Sequence, residues 1–229
     1  MQQYVGYKTE KDDECSDIQF PVDPGYGWGH QGWGRGIKKL NNKNTNCFNI
    51  DLGTCKFLGQ VQNGKVYLLP NGNALKVFFK EDNCQHEYEI LKSVKGNKHF
   101  PKVYEYSSNC IIREYVGGIL IKNYISKHGL GVKLAKNLIE LIEDFRKFGF
   151  TRLDIRCEHI FIQKDLTIKI IDPRRTYTKV IPYPHSILKT LYKLGVLDNF
   201  FNTLKNINVK LYRDWSTKYI YDKKNDVHY

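Results

Sequence analysis

The sequence contains no long run of apolar residues, and its polar N-terminus lacks the pattern of a signal peptide. Because a membrane-spanning helix needs about 20 consecutive, mainly apolar residues, the sequence predicts neither a membrane span nor a membrane partner. The six cysteines are scattered and form no CxxC pair, which argues against a zinc site and against a dense disulfide framework. These absences favour a reducing, cytoplasmic environment.

The composition is that of a globular protein. The chain of 229 residues is 41% apolar and 26% charged, which suits one domain or a small two-lobed one with a sizeable core. The net charge of +12 favours anionic ligands such as nucleotide phosphates, nucleic acid or an acidic partner. Because the lysines are spread along the chain, a generally basic, solvated surface is an equally good interpretation.

Residues 1–46 form a leader and linker of different composition. Between residues 24 and 36 glycine occupies nearly every second position, and such a run does not form a helix because ordering glycine costs too much backbone entropy. The aromatic residues Tyr26, Trp28 and Trp33 could dock on a surface or stack on single-stranded bases. The favoured interpretation is a flexible arm that packs loosely or on a partner.

The most informative segment is Arg152–Asp172. It contains two short apolar runs of β type, Ile160–Ile162 and Thr167–Ile171, which predict two strands joined by a tight turn. Asp154 and Asp172 each lie just outside a strand end, where a carboxylate can point into a cleft. The alternative interpretation is two turn aspartates that cap a hairpin.

This segment resembles the catalytic region of the eukaryotic-type protein-kinase superfamily. The kinase catalytic loop, H-R-D-x-x-x-x-N, aligns with Arg152–His159, and the metal-binding D-F-G aligns with Asp172-Pro173-Arg174. The resemblance implies that Asp154 orients the acceptor hydroxyl and that Asp172 holds a metal ion on the phosphates.

Two further roles in this loop follow from the same resemblance. Arg156 would replace the loop lysine as the charge near the γ-phosphate. His159 would take the place of the asparagine that binds a second metal ion, and an imidazole suits manganese better than magnesium. The alternative for His159 is a hydrogen bond to Asp154 or to a backbone carbonyl.

Leu58–Tyr67 is similar to the glycine-rich phosphate loop of kinases, L-G-x-G-x-x-G-x-V-Y. Gly59, Gly64 and Val66 match the pattern, and Val61 replaces the middle glycine. The resemblance implies that the backbone of this hairpin approaches the ATP phosphates. The Asn-Gly pair at its tip is also a plain hairpin signal.

Ala74–Phe79 resembles the kinase V-A-I-K strand, which makes Lys76 the lysine that pairs with the α- and β-phosphates. A helix with an acidic residue should follow, and the apolar periodicity predicts one over Glu81–Val94. Glu87 is the expected partner of Lys76, with Glu89 as the fallback. The alternative is an exposed strand lysine.

Two strands are predicted next, over residues 100–106 and 110–116. The end of the second strand resembles the hinge between kinase lobes, and the resemblance implies that the backbone of Glu114 and Val116 holds adenine.

Further helices are predicted over three ranges. The first, Lys133–Phe148, is ended by Gly149. The second, Ser186–Leu194, is N-capped by Ser186, and the third is Asp198–Ile207. Leu211–Trp215 is predicted as a packing anchor that precedes a polar tail.

Several residues depart from the kinase pattern. Val61 should stiffen the phosphate loop and weaken its phosphate contacts. Arg113 lies at the back of the expected adenine pocket, where its charge must pair with a carboxylate such as Glu87 or Asp172. Pro173 is expected to hold Asp172 in an extended conformation, no A-P-E motif follows, and the remaining chain is short for a full kinase C-lobe.

The predicted fold is therefore α+β and bilobal. Residues 47–116 would form an antiparallel N-lobe, and residues 117–229 would form the hinge and a shortened helical C-lobe. The chain resembles short bacterial Ser/Thr-kinase-like proteins, in particular the small kinase-like proteins of spore-forming Firmicutes.

The resemblance implies an ATP-dependent phosphotransferase of Ser/Thr type that uses ATP with Mg²⁺ or Mn²⁺. Its acceptor would be a protein or a small-molecule hydroxyl. A weak or inactive pseudokinase that acts as a nucleotide-binding or scaffold module is the alternative, and Val61, Arg113 and His159 favour it. Nucleic-acid binding rests on charge alone and is the least favoured function.

Overall fold

A computed structural model describes residues 47–173, 176–177 and 179–226. The predicted leader, residues 1–46, and the third position of the aligned metal-binding motif, Arg174, lie outside these residues. Of the helices in the described ranges, none combines the length and the apolar character needed to cross a bilayer.

The first half of the described chain forms an antiparallel sheet. Its five strands are β1 Lys56–Val61, β2 Gly64–Leu68, β3 Ala74–Phe78, β4 Val103–Tyr106 and β5 Cys110–Arg113. Their order is β1-β2-β3-β5-β4, and every pairing is antiparallel. Helix α1, Glu81–Ser93, contacts β3, β4 and β5. All five residues of the central strand β3 are buried, because strands flank it on both sides and a helix covers it.

The second half is mainly helical and contains a small antiparallel sheet of order β6-β7-β8. The strands are β6 Ile119–Leu120, β7 Ile160–Ile162 and β8 Ile168–Ile170. The helices are α2 Ile121–His128, α3 Val132–Lys147, α4 His185–Lys193, α5 Leu197–Ile207 and α6 Val209–Lys224. The described fold is therefore α+β, with an antiparallel sheet and six helices, and this arrangement is compatible with two lobes.

Helix α3 organises the larger hydrophobic core. Its buried face carries the apolar stripe that the sequence predicts, with Leu134, Leu138, Leu141, Ile142 and Phe145 at most 2% exposed. The helix ends beside Gly149, which adopts a φ of +71°. A left-handed backbone at this position is the usual way to satisfy the last carbonyls of a helix, so the predicted end is confirmed.

Two local predictions are wrong, and one helix was not predicted. Helix α4 begins at His185 with Pro184 at its N-cap, so Ser186 lies inside the first turn and is not the cap. The expected polar tail continues as helix α6 to Lys224, although Trp215 is the buried anchor that was predicted. Helix α2 carried no prediction, since it has only eight residues and a short apolar pattern is ambiguous.

A disulfide joins Cys47 to Cys110 on β5. The two residues are 63 positions apart, and no pairing can be derived from such spacing. The other described cysteines, Cys55, Cys84 and Cys157, are free. Burial raises the pKa of the Cys84 thiol to about 12 and that of Cys157 to about 11, so neither is an activated nucleophile.

Candidate functional site

Lys76 and Glu87 form a buried ion pair between β3 and α1. The Lys76 Nζ lies 2.5 Å from the Glu87 Oε2, and the two side chains are 3% and 1% exposed. The pair forms because the middle of β3 faces the helix that packs over it. Glu87 is thus the partner that the sequence predicts, whereas the fallback, Glu89, is exposed.

Asp172 lies beside this pair, shortly after the end of β8. Its Oδ1 is 3.8 Å from the Lys76 Nζ, and its side chain is 22% exposed. Its φ is +56°, so the expected extended conformation is wrong. A following proline biases a residue towards extended conformations without imposing one, and aspartate adopts the left-handed region more readily than most residues. Such conformations concentrate at functional sites.

Asp154 is tied to the start of α4. Its Oδ1 accepts a hydrogen bond from the Ser186 backbone N–H at 2.6 Å, and its Oδ2 accepts one from the Ser186 hydroxyl at 2.7 Å. The Arg152 guanidinium lies 3.5 Å from the same Oδ2. The side chain is 1% exposed. These contacts occupy part of the acceptor capacity of the Asp154 carboxylate, which a substrate hydroxyl would have to share.

A cavity of about 310 Å³ is lined by several of the predicted site residues. Its lining includes Val61 from the end of β1 and, from the second half of the chain, Asp154, Arg156, His159 and Asp172. Lys76 and Glu87 do not line it; they lie behind Asp172.

The other predicted binding residues do not line this cavity. Val66 is fully buried within the sheet. The Glu114 carboxylate accepts a hydrogen bond from Lys169 Nζ at 2.9 Å, and Val116 is buried in a small apolar cluster with Phe161 and Ile171. The expected adenine-binding segment is therefore packed on its neighbours and does not border the cavity.

His159 lines the cavity and has one buried nitrogen without a hydrogen-bond partner among the described residues. Its Nδ1 is buried and has no hydrogen-bond partner among the described residues, so this atom makes neither of the hydrogen bonds considered as alternatives. Burial lowers the pKa of His159, and the nearby Asp172 carboxylate opposes that effect. A neutral imidazole beside a carboxylate is a donor set that fits a divalent metal ion.

Arg113 lies behind the site, 2% exposed. It donates a hydrogen bond to the Glu114 carbonyl oxygen at 3.1 Å, and its Nε has no partner among the described residues. Burial lowers the pKa of Arg113, while the carboxylates of Glu87 and Asp172 raise it. The two expected carboxylates thus favour the charged form of Arg113, whereas the hydrogen bond of its guanidinium goes to a backbone carbonyl.

Gly64 has a packing role that the kinase pattern does not require. It pairs with Phe78 in the β2–β3 register, and a Cβ at this position would collide with the Val77 carbonyl oxygen. The glycine therefore permits close approach of two strands. Gly59 also lies in the hairpin, at an irregularity in the β1–β2 register.

We expect Gly64→Ala to lower the free energy of unfolding by about 1–3 kcal/mol, because the added methyl group overpacks a buried strand pair. Gly131→Ala is the control, since a Cβ there meets nothing within 4 Å, and only a small loss is expected from alanine at the N-cap of α3. Urea denaturation of both variants checks this expectation. An equal, small effect at the two positions would show that the hairpin tolerates a side chain at Gly64.

Sequence reasoning missed Ser186 as the partner of Asp154. The two residues are 32 positions apart, and the only local signal was a serine at the start of a predicted helix. A scan of the sequence against models of known protein families finds no match, and a search of curated proteins finds none either. The chemistry of the site is therefore judged from its own residues.

Proposed function

We propose that the protein is an ATP-dependent phosphotransferase with a protein-kinase-like fold, of the minimal Ser/Thr type. The observation that carries the proposal is the buried Lys76–Glu87 pair beside Asp172, which lines a cavity together with Asp154. The lysine strand, the acidic helix and the two aspartates follow one another in the order that the kinase resemblance implies. The two-part α+β architecture is compatible with this proposal.

Each of these residues has a role in phosphoryl transfer, which depends on positioning and on charge stabilisation. Lys76, oriented by Glu87, would pair with the α- and β-phosphates. Asp172 would hold the metal ion, and Arg156, exposed at the cavity, would meet the transferred phosphate. Asp154 would orient the acceptor hydroxyl of a protein or a small molecule.

The residues at the metal position fit Mn²⁺ better than Mg²⁺. Magnesium prefers a complete set of oxygen ligands, and Asp172 supplies oxygen. The second candidate ligand is the unsatisfied Nδ1 of His159, and imidazole nitrogen suits manganese and other transition metals. When bound, the ion would neutralise phosphate charge.

We therefore expect manganese to support ATP turnover better than magnesium in the wild-type protein. In His159→Asn the preference should shift back towards magnesium, because an amide oxygen replaces the nitrogen ligand. Parallel assays of ATP turnover in the two metals measure this shift, and His128→Asn, a change at an exposed histidine, is the control. Identical metal preference in wild type and His159→Asn would mean that His159 is not a ligand.

A second function, an inactive nucleotide-binding module, is favoured by one observation. Both carboxylate oxygens of Asp154 accept hydrogen bonds from Ser186, and the side chain is almost fully buried. A carboxylate held in this way has fewer lone pairs and little exposed surface with which to meet a substrate hydroxyl.

Transfer of radiolabel from γ-labelled ATP, measured together with calorimetric ATP binding, separates the two functions. Turnover that is lost in Asp154→Asn supports the phosphotransferase. ATP binding without turnover, both in the wild type and in Ser186→Ala, supports the inactive module. Absence of metal-dependent ATP binding in the folded wild-type protein would contradict both.

A further inference from the structure

A second cluster of metal-binding side chains lies outside the cavity described above. His99 lies in the loop between α1 and β4, and Glu140 and Asp144 lie one turn apart on α3. One ligand atom from each of the three residues lies within 4.8 Å of the others. None of the three lines the candidate active-site cavity.

The imidazole of His99 is oriented with one nitrogen available. Its Nδ1 lies 2.8 Å from the Ile168 carbonyl oxygen, and because a carbonyl only accepts, Nδ1 carries the proton. The lone pair of the neutral ring is therefore on Nε2, which is buried and has no hydrogen-bond partner among the described residues. The ring is fully buried. A histidine that donates one N–H to a backbone carbonyl and presents the other nitrogen is the usual arrangement of a metal ligand.

Asp144 faces this nitrogen, with its Oδ2 at 3.8 Å from the His99 Nε2. The same Oδ2 accepts a hydrogen bond from the Asn97 side-chain amide at 2.7 Å, which holds the carboxylate in place. Its Oδ1 accepts one from Lys147 at 2.8 Å. Lys147 is 68% exposed, so a cation can displace its ammonium group into water.

Glu140 completes the cluster from the surface. Its carboxylate forms an ion pair with the Lys98 Nζ at 2.8 Å, and the side chains of Glu140 and Lys98 are 44% and 49% exposed. An exposed ion pair of this kind contributes little stability, so Glu140 can rotate towards an ion at small cost.

We propose that His99, Glu140 and Asp144 bind one divalent transition-metal ion, with zinc as the best match. Zinc binds imidazole nitrogen and carboxylate oxygen at about 2.0–2.2 Å in tetrahedral geometry, which places neighbouring ligand atoms about 3.3–3.6 Å apart. The observed separation of 3.8 Å is close to this value. Magnesium and calcium prefer oxygen ligands alone. The absence of CxxC pairs excludes only the thiolate type of zinc site.

The ion would join α3 to the strand that leads to Asp172. His99 is bonded to β8 twice, since its side chain meets the Ile168 carbonyl and its own carbonyl accepts from the Ile170 N–H at 2.9 Å. Zinc should therefore stabilise the fold. At a concentration about 100 times Kd, Tm should rise by roughly 5–10 °C.

The test is a zinc titration of the full-length, chelator-treated protein in competition with a chromogenic chelator. Glu140→Ala should weaken binding at least about 10-fold, because it removes one of three protein ligands. His99→Gln should abolish this site. His128→Gln, an exposed histidine, should bind as wild type does, and comparison with wild type cancels any zinc held elsewhere in the chain.

Two further measurements keep the test decisive if His99→Gln does not fold. Lys147→Met should tighten zinc binding, because the ammonium group that competes for Asp144 is gone. Cobalt added in place of zinc should show visible bands without the near-ultraviolet charge-transfer band of thiolate ligands. Equal zinc affinity in wild type, Glu140→Ala and Lys147→Met would overturn the proposal. So would a thiolate charge-transfer band that disappears when one of the free cysteines is replaced. Neither measurement uses ATP, so the outcome is independent of the proposed phosphotransferase activity.

Discussion

Asp172→Asn is expected to weaken metal-dependent ATP binding by about 100-fold or more while the protein remains folded. The substitution keeps the shape of the side chain but removes the charge that would hold the metal ion. Loss of one partner of a close charge interaction costs about 2–5 kcal/mol, and each 1.4 kcal/mol corresponds to about a tenfold change in Kd. Because the Asp172 side chain is partly exposed, its neutralisation should disturb the fold less than a change at the buried pair behind it.

Calorimetric titration with ATP and Mn²⁺ measures this effect, and circular dichroism confirms the folded state. Asp165→Asn is the matched control. Asp165 lies in the turn between β7 and β8, where its carboxylate accepts hydrogen bonds from the Thr167 backbone N–H and hydroxyl. The control should bind ATP as wild type does. Wild-type affinity in folded Asp172→Asn would contradict the assignment of a nucleotide site.

The second large effect concerns stability. Lys76→Met should lower the free energy of unfolding by about 3–5 kcal/mol, because it removes one member of a buried ion pair. The double variant Lys76→Met/Glu87→Leu should recover most of this loss, since apolar residues of similar volume often replace a buried ion pair at no net cost. Urea denaturation of the two variants and the wild type measures both changes.

The control for these stability measurements is Arg146→Met, which removes an exposed partner of Glu143 on α3. Surface pairs contribute at most about 1 kcal/mol, so its effect should be small. The double variant also tests function, because it should fold and yet fail to bind ATP. A double variant no more stable than Lys76→Met would show that the pair is not the source of the loss. Normal ATP binding in the double variant would remove Lys76 from the proposed site.

Much of the local structure follows from the order of residues alone. The period of 3.6 in the apolar residues of α3 placed that helix to within one residue at each end, and Gly149 marked its end. The apolar periodicity after β3 placed an amphipathic helix there, whereas the pairing of Lys76 with Glu87 came from the resemblance to kinases. These predictions succeed because hydrophobic periodicity and helix termination act over one or two turns of chain.

Other features were decided only by tertiary packing. Ser186 meets Asp154, Cys47 meets Cys110, and His99 meets Asp144 across separations that no local pattern spans. Each contact exists because elements distant in the chain pack side by side. Asp172 likewise takes a left-handed conformation that the proline rule did not predict. Local propensity specifies which segments become helices and strands, whereas burial of their apolar faces determines which polar side chains are brought together.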